Sequence, residues 1–213
     1  MNTKLQLALD DISLEDALAL LGKVNGYIDI VEIGTPFMMQ YGAEAVRTVR
    51  HRWPDMEILL DAKIMDAGAY EAQIGFDAGA DLVTVLAVTD DGTVREVVRA
   101  ARGCGKKVMA DMICVKDIPE RVPRLEELGV DMIAVHTGVD QQAQGRTPLE
   151  DLKEISRHVK RAGVAVAGGI HAGTAKEYLA YRPSIMIVGS GIIHAKDPAE
   201  AAKKLKEIIV GTT

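Results

Sequence analysis

At 213 residues, the chain has the length of one domain or two small ones, and its 48% hydrophobic and 26% charged residues exclude a disordered tail, a fibrous repeat and a disulfide-framed mini-protein. The 25 Lys and Arg against 31 Asp and Glu give a net charge of -6 with no basic block, so nucleic acid is not expected as a partner. Two cysteines without metal-ligand spacing, Cys104 and Cys114, an N-terminus that reaches Asp10 too early for a signal peptide, and no apolar run of ~18 residues predict a cytoplasmic protein without a membrane span.

Short apolar, β-branched runs alternate with longer stretches of helical periodicity along the whole chain. A first strand is expected over 5–10, then a helix over 15–23 opened by the capping box Ser13-Leu-Glu-Asp16. A strand over 28–33 follows, Pro36 after Thr35 signals a helix entry, and a helix is expected over 42–52. The remaining strands fall at 58–63, 82–86, 107–113, 132–137, 164–168 and 185–189. The remaining helices fall at 70–78, 94–103, 120–128, 149–162, 174–179 and 199–209, with Gly22, Gly103, Gly129 and Gly163 expected as helix stops.

Near-continuously apolar strands are those of a parallel sheet covered by helices, and a repeat of about 27 residues, taken eight times, closes into a barrel. The predicted fold class is therefore α/β, a (β/α)8 TIM barrel with 1–213 as a single domain. The alternative is an open doubly wound sheet, but no Gly-x-Gly-x-x-Gly follows the first strand and no Walker loop occurs.

Successive residues of a barrel strand point inward and outward in turn, and chemistry sits at the C-terminal rim. On this parity Leu5, Leu7 and Leu9 face the helices, while Gln6, Ala8 and Asp10 face inward. Glu32, the pair Asp61 and Lys63, Asp111 and His136 end the inner faces of four further strands, and Asp66 follows in a turn. Asp10 has an equal claim to be a helix cap. A buried Glu32 needs a cation or a strong donor, and a plain salt bridge to Lys63 is its structural alternative. His136 lies in His-Thr-Gly before a loop with Gly138 and Gly145, which favours the site mouth, whereas His51, His158, His171 and His194 read as surface or supporting groups. The ends Ala167-Gly168-Gly169-Ile170 and Val188-Gly189-Ser190-Gly191 carry small residues whose backbone N–H groups suit an anion, with tight turning as the alternative.

These residues carry a resemblance. Leu7-Ala-Leu-Asp10, Val31-Glu-Ile-Gly-Thr35, Asp61-Ala-Lys-Ile-Met-Asp66, Thr84-Val-Leu, Asp111-Met112, Val115-Lys-Asp117, Val135-His-Thr-Gly138 and the two glycine ends are similar to the orotidine-5'-phosphate decarboxylase superfamily, and within it to the 3-hexulose-6-phosphate synthase branch. The resemblance implies a Mg2+-dependent aldehyde-lyase, with Mn2+ as a possible substitute, that reversibly condenses formaldehyde with D-ribulose 5-phosphate through an enediolate. It implies Glu32 and Asp61 as metal ligands, Lys63 as enediolate stabiliser and His136 as proton carrier, with Asp111 beside them. It further implies a homodimer in which Asp66 serves the neighbouring subunit's site, and Asp10, Ala167, Gly168, Gly169, Gly189 and Ser190 as substrate and phosphate contacts. The related 3-keto-L-gulonate-6-phosphate decarboxylases typically carry Glu, Arg and Arg where this chain has Asp111, Val139 and Ser190, which favours the synthase and leaves the phosphate without an arginine. Arg146, in the loop after the sixth strand, is a candidate cation. The decarboxylase and a non-catalytic sugar-phosphate-binding barrel remain as alternatives. Because Asp61 and Asp66 neighbour Lys63, its amine is expected to stay charged and not to act as an imine nucleophile.

Overall fold

In the computed structural model, which describes residues 3–145 and 147–212, the expected strands pair in parallel and in chain order. They are β1 (Lys4–Leu9), β2 (Ile30–Ile33), β3 (Glu57–Ile64), β4 (Leu82–Leu86), β5 (Lys107–Asp111), β6 (Met132–His136), β7 (Gly163–Ala167) and β8 (Ile185–Val188), and β8 closes the ring on β1. The covering helices are α1 (Leu14–Val24), α2 (Thr35–Tyr41), α3 (Ala43–Arg52), α4 (Gly68–Ala78), α5 (Asp91–Gly103), α6 (Ile118–Leu128), α7 (Val139–Gln142), α8 (Leu149–His158), α9 (Ala175–Leu179), α10 (Ser190–Ile193) and α11 (Pro198–Gly211).

Strand alternation sorts the apolar residues into two cores. Leu5, Leu7 and Leu9 pack outward in one cluster with helix residues such as Ala17, Leu21 and Val24. Ala8, Ile30, Leu59, Leu82, Met109 and Ala165 fill the interior of the ring. The lower interior is thus a packed plug, and polar groups have room only at the C-terminal rim.

The opposite rim is pinned by aspartates that immediately precede even-numbered strands. Asp29, Asp81 and Asp131 accept the backbone N–H of Leu5, Ile58 and Val108 at 2.8, 3.0 and 2.9 Å. Each also meets a basic side chain: Lys206 with Asp29, Arg50 and Lys106 with Asp81, and Arg102 with Asp131. Burial opposes ionisation of Asp81, but Lys106, the Ile58 N–H and Arg50 together hold its carboxyl below the ordinary 3.8. A depressed folded value stabilises above that pH, and the gain is lost as acid protonates the folded carboxylate. Asp81→Ala is expected to cost about 2 kcal/mol near neutrality, from its lost charge-assisted hydrogen bonds, and progressively less below pH 3.8. Urea denaturation of both proteins at several pH values checks this.

Some local expectations are corrected. Half of the capping box forms: the Ser13 hydroxyl accepts from the Asp16 N–H, while the Asp16 carboxylate accepts from that hydroxyl at 2.7 Å, and Gly22 lies inside α1. Pro36 opens its own helix, α2, and Gly42, at φ +59, breaks it from α3. Helix α8 stops at His158 rather than 162, because Glu126 Oε1 accepts the N–H groups of Lys160, Arg161 and Ala162 and draws them out of helical bonding; Gly163 opens β7 instead of closing a helix. Strand β5 ends at Asp111, whose carboxylate accepts the Ile113 N–H and turns the chain. Gly129 does close α6, at φ +92. Among the described residues no helix is long and apolar enough to cross a membrane, and both cysteines are exposed thiols.

Candidate active site

The site is built around β3. Between the pairs Leu60 with Val83 and Ile64 with Val85, β3 advances four residues while β4 advances two. Two extra residues are an even number, so inner and outer parity survive the bulge and Asp61 and Lys63 both point to the rim. Lys63 absorbs the extra length with a left-handed φ of +46, which non-glycine residues seldom adopt.

Asp61 is fixed by hydroxyls on both sides. Thr84 Oγ1 donates to Oδ1 at 2.8 Å, and Thr35 Oγ1 shares its one hydrogen between Oδ2 at 2.9 Å and the Asp61 carbonyl oxygen at 2.8 Å. The Lys63 ammonium pairs with Asp61 Oδ2 and lies 3.5 Å from Asp111 Oδ2, and Asp111 Oδ2 is in turn 2.8 Å from His136 Nδ1. The result is a row of alternating charge: Asp61, Lys63, Asp111, His136.

Each member of the row tunes the next. Burial works against the Lys63 charge, but Asp61 and Asp111 outweigh it and raise the ammonium above its ordinary value. Burial pushes the Asp111 carboxyl up, but the His136 hydrogen bond and the His136 and Lys63 charges hold it below the usual range. Burial disfavours an imidazolium at His136, yet Asp111 more than offsets this and raises it. The sequence placed Asp66 as the second acid near Lys63; Asp111, from another strand, holds that position. Asp66 is exposed beyond β3, where its carboxylate accepts the Ala67 N–H at 2.7 Å; Met65 before it and Tyr70 four residues on are exposed as well.

Glu32 occupies the inner face of β2, buried and without an ion pair to Lys63 among the described residues, so the salt bridge weighed from sequence does not form. Its partner is Gln6, whose Nε2 donates to Oε2 at 2.6 Å, while Gln6 Oε1 is buried with no partner among the described residues. Burial, reinforced by the Asp61 charge, pushes the Glu32 carboxyl up to about 8. Asp10 is likewise raised, by burial and then by Asp61. It caps no helix, since Ser13 has that role in α1; its Oδ1 fills the space where a Cβ on Gly34 would come within 2.0 Å.

Apart from Asp111, which His136 balances, the carboxyl groups of Asp10, Glu32 and Asp61 face the one Lys63 ammonium; the raised Glu32 and Asp10 values answer that imbalance, and a bound cation would relieve it. Glu32 and Asp61 are hard oxygen donors of the kind that hold Mg2+ with water and substrate completing its shell. Among the described residues no three His, Cys, Asp or Glu side chains cluster as a protein-only cage, so an ion here would rest on few protein ligands.

Across the rim, Ala167 leads into Gly168 and Gly169 at φ +119 and +65, and a Cβ on Gly168 would lie 2.9 Å from the Thr137 carbonyl oxygen. Only glycine fits this turn. Gly189 precedes α10, which Ser190 opens, and a Cβ there would sit 3.4 Å from Asp10 Oδ2, so this backbone adjoins the carboxylate cluster. Arg146 lies outside the described residues. A cavity of about 450 Å³ runs outward from His136 between the loops after β5 and β6, past Met112, Ile118 and Gln141.

The sequence reading assigned no role to Gln6, Thr35 or Thr84. Gln6 and Thr84 carried a usable signal, a polar residue at an inward position of an apolar strand; Thr35 is the first residue of α2, where no strand periodicity marks it.

The residues 3–205 match the family model described as "Orotidine 5'-phosphate decarboxylase / HUMPS family". Over 207 residues the chain is 46% identical to a protein of Bacillus subtilis (strain 168) named 3-hexulose-6-phosphate synthase, covering 97% of this chain and 99% of that one. The present fold superposes on the 3-hexulose-6-phosphate synthase from Salmonella typhimurium with a TM-score of 0.97, at 49% identity, covering 99% of this chain and 100% of the other. It also superposes on the 3-keto-L-gulonate-6-phosphate decarboxylase from Vibrio cholerae, with a TM-score of 0.88 at 25% identity, covering 100% of both chains.

Proposed function

This chain belongs to the orotidine 5'-phosphate decarboxylase / HUMPS family, and within it we propose that it works as a 3-hexulose-6-phosphate synthase. In this reading it is a carbon–carbon lyase that reversibly joins formaldehyde to C1 of D-ribulose 5-phosphate, giving D-arabino-hex-3-ulose 6-phosphate through an enediolate. The similarity to proteins of that name over nearly whole chains supports the class. The observation that carries the chemistry is the row in which Asp111 links Lys63 to His136.

His136 is the base. With its Nδ1–H given to Asp111, the imidazole presents Nε2 to take a proton from C1, and the buried carboxylate steadies the imidazolium that results. Lys63, kept charged by Asp61 and Asp111, offers an ammonium to the developing enediolate and no free amine for an imine. The enediolate carbon then attacks formaldehyde, and the proton on His136 is available for the new alkoxide. Backbone N–H groups around Gly168, Gly169, Gly189 and Ser190 receive the phosphate in place of arginine, and Asp10 meets substrate hydroxyls.

Glu32 and Asp61 would hold Mg2+, or Mn2+ in its place, and the ion supplies positive charge for the substrate oxygens that carry the enediolate's charge. Exhaustive chelation is expected to abolish turnover and Mg2+ to restore it, and Asp61→Asn to weaken Mn2+ binding read by electron paramagnetic resonance as well as turnover. Full activity in the chelated protein would remove the ion from the reading.

Asp66 fits a homodimer with shared sites: it is exposed just beyond β3, in a stretch of chain that also exposes the apolar side chains Met65, Tyr70 and Ile74. The reading as a whole is tested by supplying the purified protein with ribulose 5-phosphate plus formaldehyde, or with 3-keto-L-gulonate 6-phosphate. Hexulose phosphate formation is expected to dominate; faster decarboxylation would overturn it in favour of the decarboxylase.

A further inference from the structure

Thr84 has no charge, yet it occupies the junction on which the row depends. It lies on the inner face of β4, 3% exposed, opposite the stretch where β3 leaves its register. Because the ladder between β3 and β4 is interrupted from Leu60 to Ile64, the Lys63 N–H must find another acceptor, and Thr84 Oγ1 accepts it at 2.9 Å. The same hydroxyl gives its one hydrogen to Asp61 Oδ1 at 2.8 Å. A hydroxyl is both acceptor and donor, so this atom ties the left-handed backbone at Lys63 to the carboxylate that its ammonium pairs with.

We propose that Thr84 is a positioning residue: its hydroxyl locks the bulge in β3 so that the Lys63 ammonium is delivered between Asp61 and Asp111. The geometry requires a group of this kind. Lys63 holds a φ of +46 that its side chain disfavours, and such backbone persists only where its surroundings fix it. Valine has the shape of threonine but neither hydrogen bond, and would leave the Lys63 N–H and Asp61 Oδ1 each short of a partner in a buried place. Serine keeps both bonds and loses only a methyl group.

The kinetic part of this inference rests on the synthase reading, and the labelling part does not. Thr84→Val, Thr84→Ser and unmodified protein are compared by thermal unfolding, by turnover and KM with ribulose 5-phosphate and formaldehyde, and by arylation of Lys63 with trinitrobenzenesulfonate followed by peptide mass spectrometry. Thr84→Val is expected to lose about 10²-fold in kcat with little change in KM, the scale of effect for a misplaced catalytic group. Its Lys63 should arylate severalfold faster, and Thr84→Ser should restore both properties. If the valine variant does not fold, the same readings are taken on Thr84→Ala. Wild-type labelling of Lys63 in a folded variant without the hydroxyl would overturn the positioning role. An inactive unmodified protein would overturn the synthase reading, and the labelling comparison would still decide Thr84.

Discussion

His136→Asn is expected to abolish exchange of the C1 hydrogen of ribulose 5-phosphate with deuterated water, a reaction the unmodified protein should catalyse without formaldehyde. Proton abstraction is the first step toward the enediolate, so it proceeds before the second substrate is needed. A positioned general base is worth about 10²- to 10⁴-fold, and the variant should lose at least that much in exchange and condensation alike. Asparagine retains a side-chain donor for Asp111, so the row is disturbed less than by alanine. The pH dependence supplies a second reading. A base must be neutral to act, and Asp111 raises the imidazole despite burial, so the acid limb of kcat/KM should lie above the ordinary 6.5. Asp111→Asn removes the charge that raises it and should move that limb to lower pH while slowing the reaction. Undiminished exchange in His136→Asn would move the base to Asp111 or a water molecule.

Much of the barrel was legible because one rule, strand alternation, acts on it throughout. Leu5, Leu7 and Leu9 against Gln6, Ala8 and Asp10 already separate the outer face from the inner one, and the same parity brings Glu32, Asp61, Lys63, Asp111 and His136 to one rim. Pairing within that rim was not legible, because it depends on which strands are neighbours across the ring and how far each side chain reaches. Asp66 is near Lys63 in sequence and Asp111 is far, yet Asp111 is the one in reach. The bulge that makes Lys63 left-handed left no mark in the residues themselves; it happens to preserve parity, so simple alternation gave the right face without revealing the strain. The end of α8 was hidden for a similar reason. Helical periodicity continues to 162, but a carboxylate from α6 claims the N–H groups that would extend it.

Mixing two nearly inactive variants, Lys63→Ala and Asp66→Ala, is expected to restore activity. Lys63 points into its own barrel and pairs with Asp61, whereas Asp66 is exposed beyond the same strand and, among the described residues, accepts the neighbouring Ala67 N–H. If Asp66 completes the site of a second copy, a two-fold dimer joins each Lys63 to the other subunit's Asp66. A mixed dimer then contains one site lacking both groups and one site with both intact. Random exchange makes about half of the dimers mixed, each with one good site in two, so roughly a quarter of unmodified activity should return. Subunit exchange is verified with distinguishable tags on the two variants, so that silence has a meaning. The exposed apolar residues close to Asp66 in the chain favour the same geometry: Tyr70 is 72% exposed and Met65 51%, side chains that would gain from cover by a second copy. No recovery despite proven exchange would place Asp66 in the service of its own subunit, and the barrel would then have to complete its site alone, with Asp66, Glu32 and Asp10 joining the row of Asp61, Lys63, Asp111 and His136.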